Sequence, residues 1–188
     1  MTGAVDPLER AALEWIAPYR NAAHLVNTRE WLLRLAPGAR LALRLAALTH
    51  DIERHFPGGP APDPGNPEYS RAHATRSARI VGEWLARRGA DAALREEVAL
   101  LVAAHEEGGW PDADLLQAAD SLSYLEVNAA GPACWVRDGR CDVDTARAKL
   151  RSMHDRIAVD AAREPAAALI RTAERTLEEA LAGVEARR

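Results

Sequence analysis

The sequence predicts an all-α fold, a single-domain helical bundle running through residues 1–188. Apolar residues recur at helical spacing along nearly the whole chain, and helix caps with Pro/Gly breaks punctuate it. No alternating run of β-branched residues is long enough for a strand, and no linker separates two cores.

Each element follows from local chemistry. Asp6-Pro7-Leu8-Glu9 reads as an N-cap, a proline at the first helical position and a following acid, so a helix starts there and breaks at Pro18. Residues 19–35 place Leu25, Leu32 and Leu35 on one face and stop at Pro37-Gly38. Residues 39–52 are apolar almost all round, with Arg40 and Arg44 the only charges before Asp51, which predicts a central buried helix. The stretch "FPGGPAPDPGNP" cannot propagate a helix or a strand. Asn66-Pro67 caps the next helix, to about Gly89; Asp91 caps another, ending at Gly108-Gly109; Pro111 opens one through about Asn128. A looser segment, "AAGPACWVRDGRC", precedes two final helices near 142–162 and 165–186.

Bulk properties exclude several classes. The formal net charge is −4 and no basic stripe stands out, which argues against a nucleic-acid polymer or a membrane surface as partner. Cys134 and Cys141 have neither zinc-knuckle spacing nor company enough for a disulfide framework. The N-terminal "MTGAVDPLERAALEW" lacks the apolar core of a signal peptide, and no stretch reaches spanning length, so the cytoplasm is the expected compartment. A homodimer is left open. Lys149 is the sole lysine among 24 basic residues.

The six histidines carry the functional signal. His24 lies mid-helix, and His50 stacks over Ala46 and Ala42. His73 heads a stripe through Ser77, Ile80, Val81 and Trp84, and His105 closes one made of Val98, Leu101 and Val102. Asp120 follows Leu116 and precedes Tyr124 on one face. Four histidines and two aspartates, Asp51 and Asp120, therefore project from core-facing sides of five helices, whereas His55 and His154 sit among charges and read as solvated. A lone histidine on an apolar face is usually a hydrogen-bonded core residue. Together, these groups would leave many buried polar atoms to satisfy, and a divalent iron, manganese or zinc ion satisfies them all.

The order His24, His50-Asp51, His105, Asp120, with the pair closing a buried helix and the last aspartate in "LLQAADSLSYLE", resembles the HD superfamily of metal-dependent phosphohydrolases over about residues 20–128. The resemblance implies that His24, His50, Asp51 and Asp120 hold one ion. His73 and His105 match the extra histidines of two-metal members, with Asp51 bridging. The spacing is most similar to the symmetrical dinucleoside tetraphosphate hydrolases. Here, however, Tyr124 and Glu126 stand without the acidic-proline turn that follows the last aspartate in those enzymes. The Gly-Tyr-Pro signature of cyclic-di-GMP phosphodiesterases is absent, and Arg54 occupies the place where many members carry Lys or His.

The expected activity is hydrolysis of a small phosphate ester or nucleotide by a metal-activated water. Asp51 would orient that water, and Arg54 would offset phosphoryl charge. Arg71, Arg76 and Lys149 are candidate substrate contacts. Glu106 and Glu107 are candidates to shuttle protons or orient His105, and Trp110 to stack on a base. Residues 56–66 are a candidate lid. Two other readings stay open: a diiron oxygenase on the same scaffold, disfavoured by the short interval from His105 to Asp120, and a non-catalytic metal-binding helical module.

Overall fold

A computed structural model of the protein describes residues 5–59, 63 and 66–185. These form α1 (Pro7–Ile16), α2 (Ala22–Leu35), α3 (Leu41–Thr49), a 3-10 turn (Ile52–His55), α4 (Pro67–Arg87), α5 (Ala92–Ala104), α6 (Pro111–Val127), α7 (Gly131–Arg137), α8 (Val143–Asp155) and α9 (Asp160–Glu185). The described residues contain no strand, so the fold is all-α. None of their helices is long and apolar enough to cross a membrane.

Caps start the helices where side-chain chemistry allows. The carboxylates of Asp6, Asp91 and Asp142 accept the backbone N–H groups of Leu8, Leu94 and Thr145, and the Asn66 amide oxygen accepts that of Glu68. The main core gathers α1 to α6 around α3, whose Leu43, Leu45, Ala46 and Leu48 are buried. Leu116 and Ala119 of α6 join this core, whereas Leu125 of α6 belongs to a second cluster with Leu150, Met153, Leu177 and Leu181, so α6 is shared between the two. Glu9 stitches three helices together inside the apolar layer. It is 1% exposed and accepts from Arg29 Nε of α2 at 2.6 Å and Arg44 Nε of α3 at 2.9 Å.

Several boundaries differ from the expectation. The central helix stops at Thr49, and the chain tightens into the 3-10 turn, so His50 and Asp51 sit just beyond a helix end. The segment 129–141 is not irregular: Pro132 opens α7, where proline's missing N–H is harmless. The last two helices meet earlier, at Asp155 and Asp160 rather than 162 and 165, with Pro165 inside α9. His55 is not solvated, because its ring stacks on Tyr19 at 4.1 Å and bonds the Asn21 side chain. The lid expectation falls partly on residues 60–62 and 64–65, which lie outside the described residues, as do residues 1–4 of the N-terminal reading.

Candidate metal centre

The ends of α3 and α5 build the site by the same device. The last carbonyls of a helix lack partners within it. His50, just after α3, places Nδ1 3.0 Å from the Ala47 carbonyl, and His105, just after α5, places Nδ1 2.7 Å from that of Val102. A carbonyl only accepts, so each Nδ1 carries the hydrogen and each Nε2 lone pair faces inward. His24 on α2 reaches the same state by another route. The Ser123 hydroxyl donates to the His24 carbonyl at 3.0 Å and so accepts from His24 Nδ1 at 2.9 Å. The negative dipole ends of α3 and α5 point at the same centre and favour a cation there.

The inward nitrogens meet carboxylates. His24 Nε2 and His50 Nε2 are 3.3 Å apart and lie 3.1 and 3.4 Å from Asp120 Oδ1. Asp51 Oδ1 is 3.8 Å from His105 Nε2 and 3.5 Å from His73 Nδ1, while Arg54 Nε donates to Asp51 Oδ2 at 2.8 Å. The Arg54 guanidinium in turn donates to the Tyr69 hydroxyl at 2.6 Å. His73 Nε2 lies 2.8 Å from Glu106 Oε1. Three overlapping donor groups result: His24, His50 and Asp120; His50, Asp51 and His105; His73, His105 and Glu106.

Charges are set by these neighbours. Burial works to raise the Asp51 and Asp120 carboxyls, but Arg54 with the imidazoles, and Arg156 with His50, hold them well below the usual carboxylate range. Burial also opposes ionisation of Glu106, yet the His73 hydrogen bond and Arg156 keep its carboxyl depressed. Burial pushes His105 down to about 4, so its imidazole stays neutral. In His50 burial works in the same direction, but the Asp120 carboxylate prevails and raises its pKa.

The structure brings His24, His50, Asp51, His73, His105 and Asp120 together. Arg54 and Lys149 line the same cleft, of about 690 Å³, with the Lys149 ammonium 5.3 Å from the Tyr124 ring centre. Arg71 and Arg76 do not reach it. Arg71 projects to the surface, 3.7 Å from Glu107, and Arg76 turns back to the carbonyls of Phe56 and Pro57. Both line a separate shallow pocket on the outer side of α4. Trp110 packs against the main core rather than lining the cleft.

Glu106 and Arg156 carry more than the sequence suggested. Gly108, at φ 70°, turns the chain after α5, and Gln117 Nε2 binds the Glu106 carbonyl at 2.8 Å, which holds Glu106 inward. Arg156 closes the far side of the centre: it donates to Glu106 Oε2 at 2.6 Å, to Ser121 Oγ at 2.8 Å and to Asp120. Within a helix expected to run to about 162, an arginine after "SMHD" carries no signal that separates it from a surface charge.

The donor set fits a divalent cation. Two imidazole lone pairs 3.3 Å apart cannot satisfy each other without a proton or a metal between them. The buried His73 Nδ1 has no hydrogen-bond partner at all. Imidazole nitrogen with carboxylate oxygen is the ligand chemistry of zinc, iron and manganese. A family model described as HD domain matches residues 21–125, from the start of α2 to the last turn of α6. No curated protein and no solved structure matches the chain.

Proposed function

From the premise that this chain belongs to the HD-domain family, whose members are mostly metal-dependent phosphohydrolases, we propose that it hydrolyses a small phosphate ester or nucleotide at a two-ion centre of iron, manganese or zinc. The observation that carries the reading is the convergence of three Nε2 lone pairs, each fixed by its own Nδ1–H, on the carboxylates of Asp51 and Asp120. His24, His50, Asp51 and Asp120 would hold one ion; Asp51, His73 and His105 would hold the other. When bound, such a pair supplies a water of lowered pKa and polarises phosphoryl oxygens.

The chain's own groups do the rest. Asp51 would serve both ions, and its ion pair with Arg54 fixes its orientation. Arg54 lines the cleft and offsets charge on the phosphoryl group. Lys149, Arg20 and Arg140 also line it and, among the described residues, form no ion pair with a carboxylate, which suits an anionic substrate.

The test is metal analysis of protein purified without added metal, then a panel of phosphate esters and nucleotides with iron, manganese and zinc. Metal-dependent phosphate release that drops by about 10²–10³-fold in Asp51→Ala is the expected result. Oxygen uptake by the iron-loaded protein without phosphate release would transfer the chain to the oxygenase reading. Retained metal content and stability in Asp51→Ala, with no turnover in either protein, would leave a non-catalytic module.

A further inference from the structure

We propose that Glu106, anchored by Arg156, is a positioning residue that keeps the proton of His73 on Nε2 and turns His73 Nδ1 toward the second ion. The sense is opposite to that of His24, His50 and His105, which present Nε2. The inference rests on the two-ion reading above and assigns the ligand atom within it.

His73 is wholly buried, so both ring nitrogens must be accounted for. Nε2 lies 2.8 Å from Glu106 Oε1. An ionised carboxylate only accepts, so the hydrogen sits on Nε2. The lone pair of the neutral ring is then on Nδ1, the atom that is buried without a hydrogen-bond partner. It faces Asp51 Oδ1 at 3.5 Å, an acceptor confronting an acceptor. A second proton on the ring would meet Asp51 only at that distance, long for a bond to a charged oxygen. A cation between Nδ1 and Asp51 resolves both atoms, and a carboxylate behind the ring is the usual means of orienting a metal-bound histidine.

Glu106 is itself held at both ends. Arg156 donates to its Oε2 at 2.6 Å, and Gln117 donates to its main-chain carbonyl at 2.8 Å. Arg156 follows α8, outside the stretch that matches the family, so this chain's C-terminal helices supply the anchor.

The ring nitrogens can be read directly. Protein labelled with nitrogen-15 and loaded with zinc is examined by long-range proton–nitrogen correlation. His73 is expected to show a protonated Nε2 and a zinc-shifted Nδ1, while His24, His50 and His105 show the reverse. Calorimetry on Glu106→Ala is expected to weaken the second zinc equivalent by about 10–100-fold and leave the first unchanged, since Arg156 keeps Asp120 and Ser121. A protonated Nδ1 on His73 in the zinc-loaded wild-type protein, or equal effects of Glu106→Ala on both equivalents, would overturn the assignment while leaving the proposed function standing. Failure of zinc, iron and manganese alike to bind would overturn both.

Discussion

His50 has two jobs that conflict at low pH. Its Nδ1 ties down the end of α3, and its Nε2 must be free of a proton to hold a metal. Burial disfavours the charged ring, yet the neighbouring Asp120 carboxylate raises the pKa above the ordinary histidine value of 6.5. In metal-free protein the proton therefore stays on His50 at higher pH than on a free histidine, and a metal must displace it. His105, pushed down to about 4 by burial, presents no such competition. Metal affinity is expected to fall as pH drops through the raised His50 value. Calorimetry in buffers of differing ionisation enthalpy should show more proton release per metal at about pH 6 than at about pH 8. Asp120→Asn removes the charge that holds the proton, so release at about pH 6 should shrink even though affinity also falls. Unchanged proton release in that variant would contradict this account.

At the scale of elements, the HD pair depends on how α3 is gripped by its neighbours. Glu9 is the buried hinge of that grip, accepting from Arg29 and Arg44. Glu9→Ala would strand two partly buried guanidinium groups, so a loss of about 2 kcal/mol is expected, at the low side for a broken buried pair because both arginines keep some solvent. For a chain of this size that is a fall in Tm of about 4–8 °C, measured by thermal unfolding of the metal-free protein. Glu9→Gln should recover part of it. The caps at Asp6, Asn66 and Asp91 were legible in the sequence because their signal is local, a short polar side chain preceding an apolar run. The helix α7 was not, since seven residues with Gly and Pro at the start carry almost no periodicity. Pro165 misled for a related reason: the start of α9 is decided by packing of Ala162 and Ala166 against Leu122 of α6, which no local pattern reports.

Across the whole molecule, the site gathers groups far apart in sequence at one place in the bundle. His50, His73, His105 and Asp120 were legible as buried polar groups because helical spacing aligns each with an apolar stripe, whereas Asp51, beyond the end of α3, was legible only as the neighbour of His50 and through the family resemblance. Arg156 was invisible because its partners Asp120 and Glu106 lie 36 and 50 residues away, and nothing local distinguishes it from a surface arginine. That arrangement gathers three carboxylates, four imidazoles and two guanidinium groups, and its inward lone pairs face one another. The metal-free protein is accordingly expected to be well below its attainable stability. An ion that binds only the folded state adds about 2.7 kcal/mol at a hundredfold excess over Kd. Each occupied site should therefore raise Tm by about 5–10 °C. Thermal unfolding with a chelator, and then with zinc or manganese, measures this directly. The rise should be lost in Asp51→Ala, because the proposed function has Asp51 hold both ions. It should survive in Arg71→Ala and Arg76→Ala, whose side chains point away from the cleft. If the chelated and metal-loaded proteins melted together, the convergence of lone pairs would have to be satisfied by protons alone, and the ionic reading of the centre would fail.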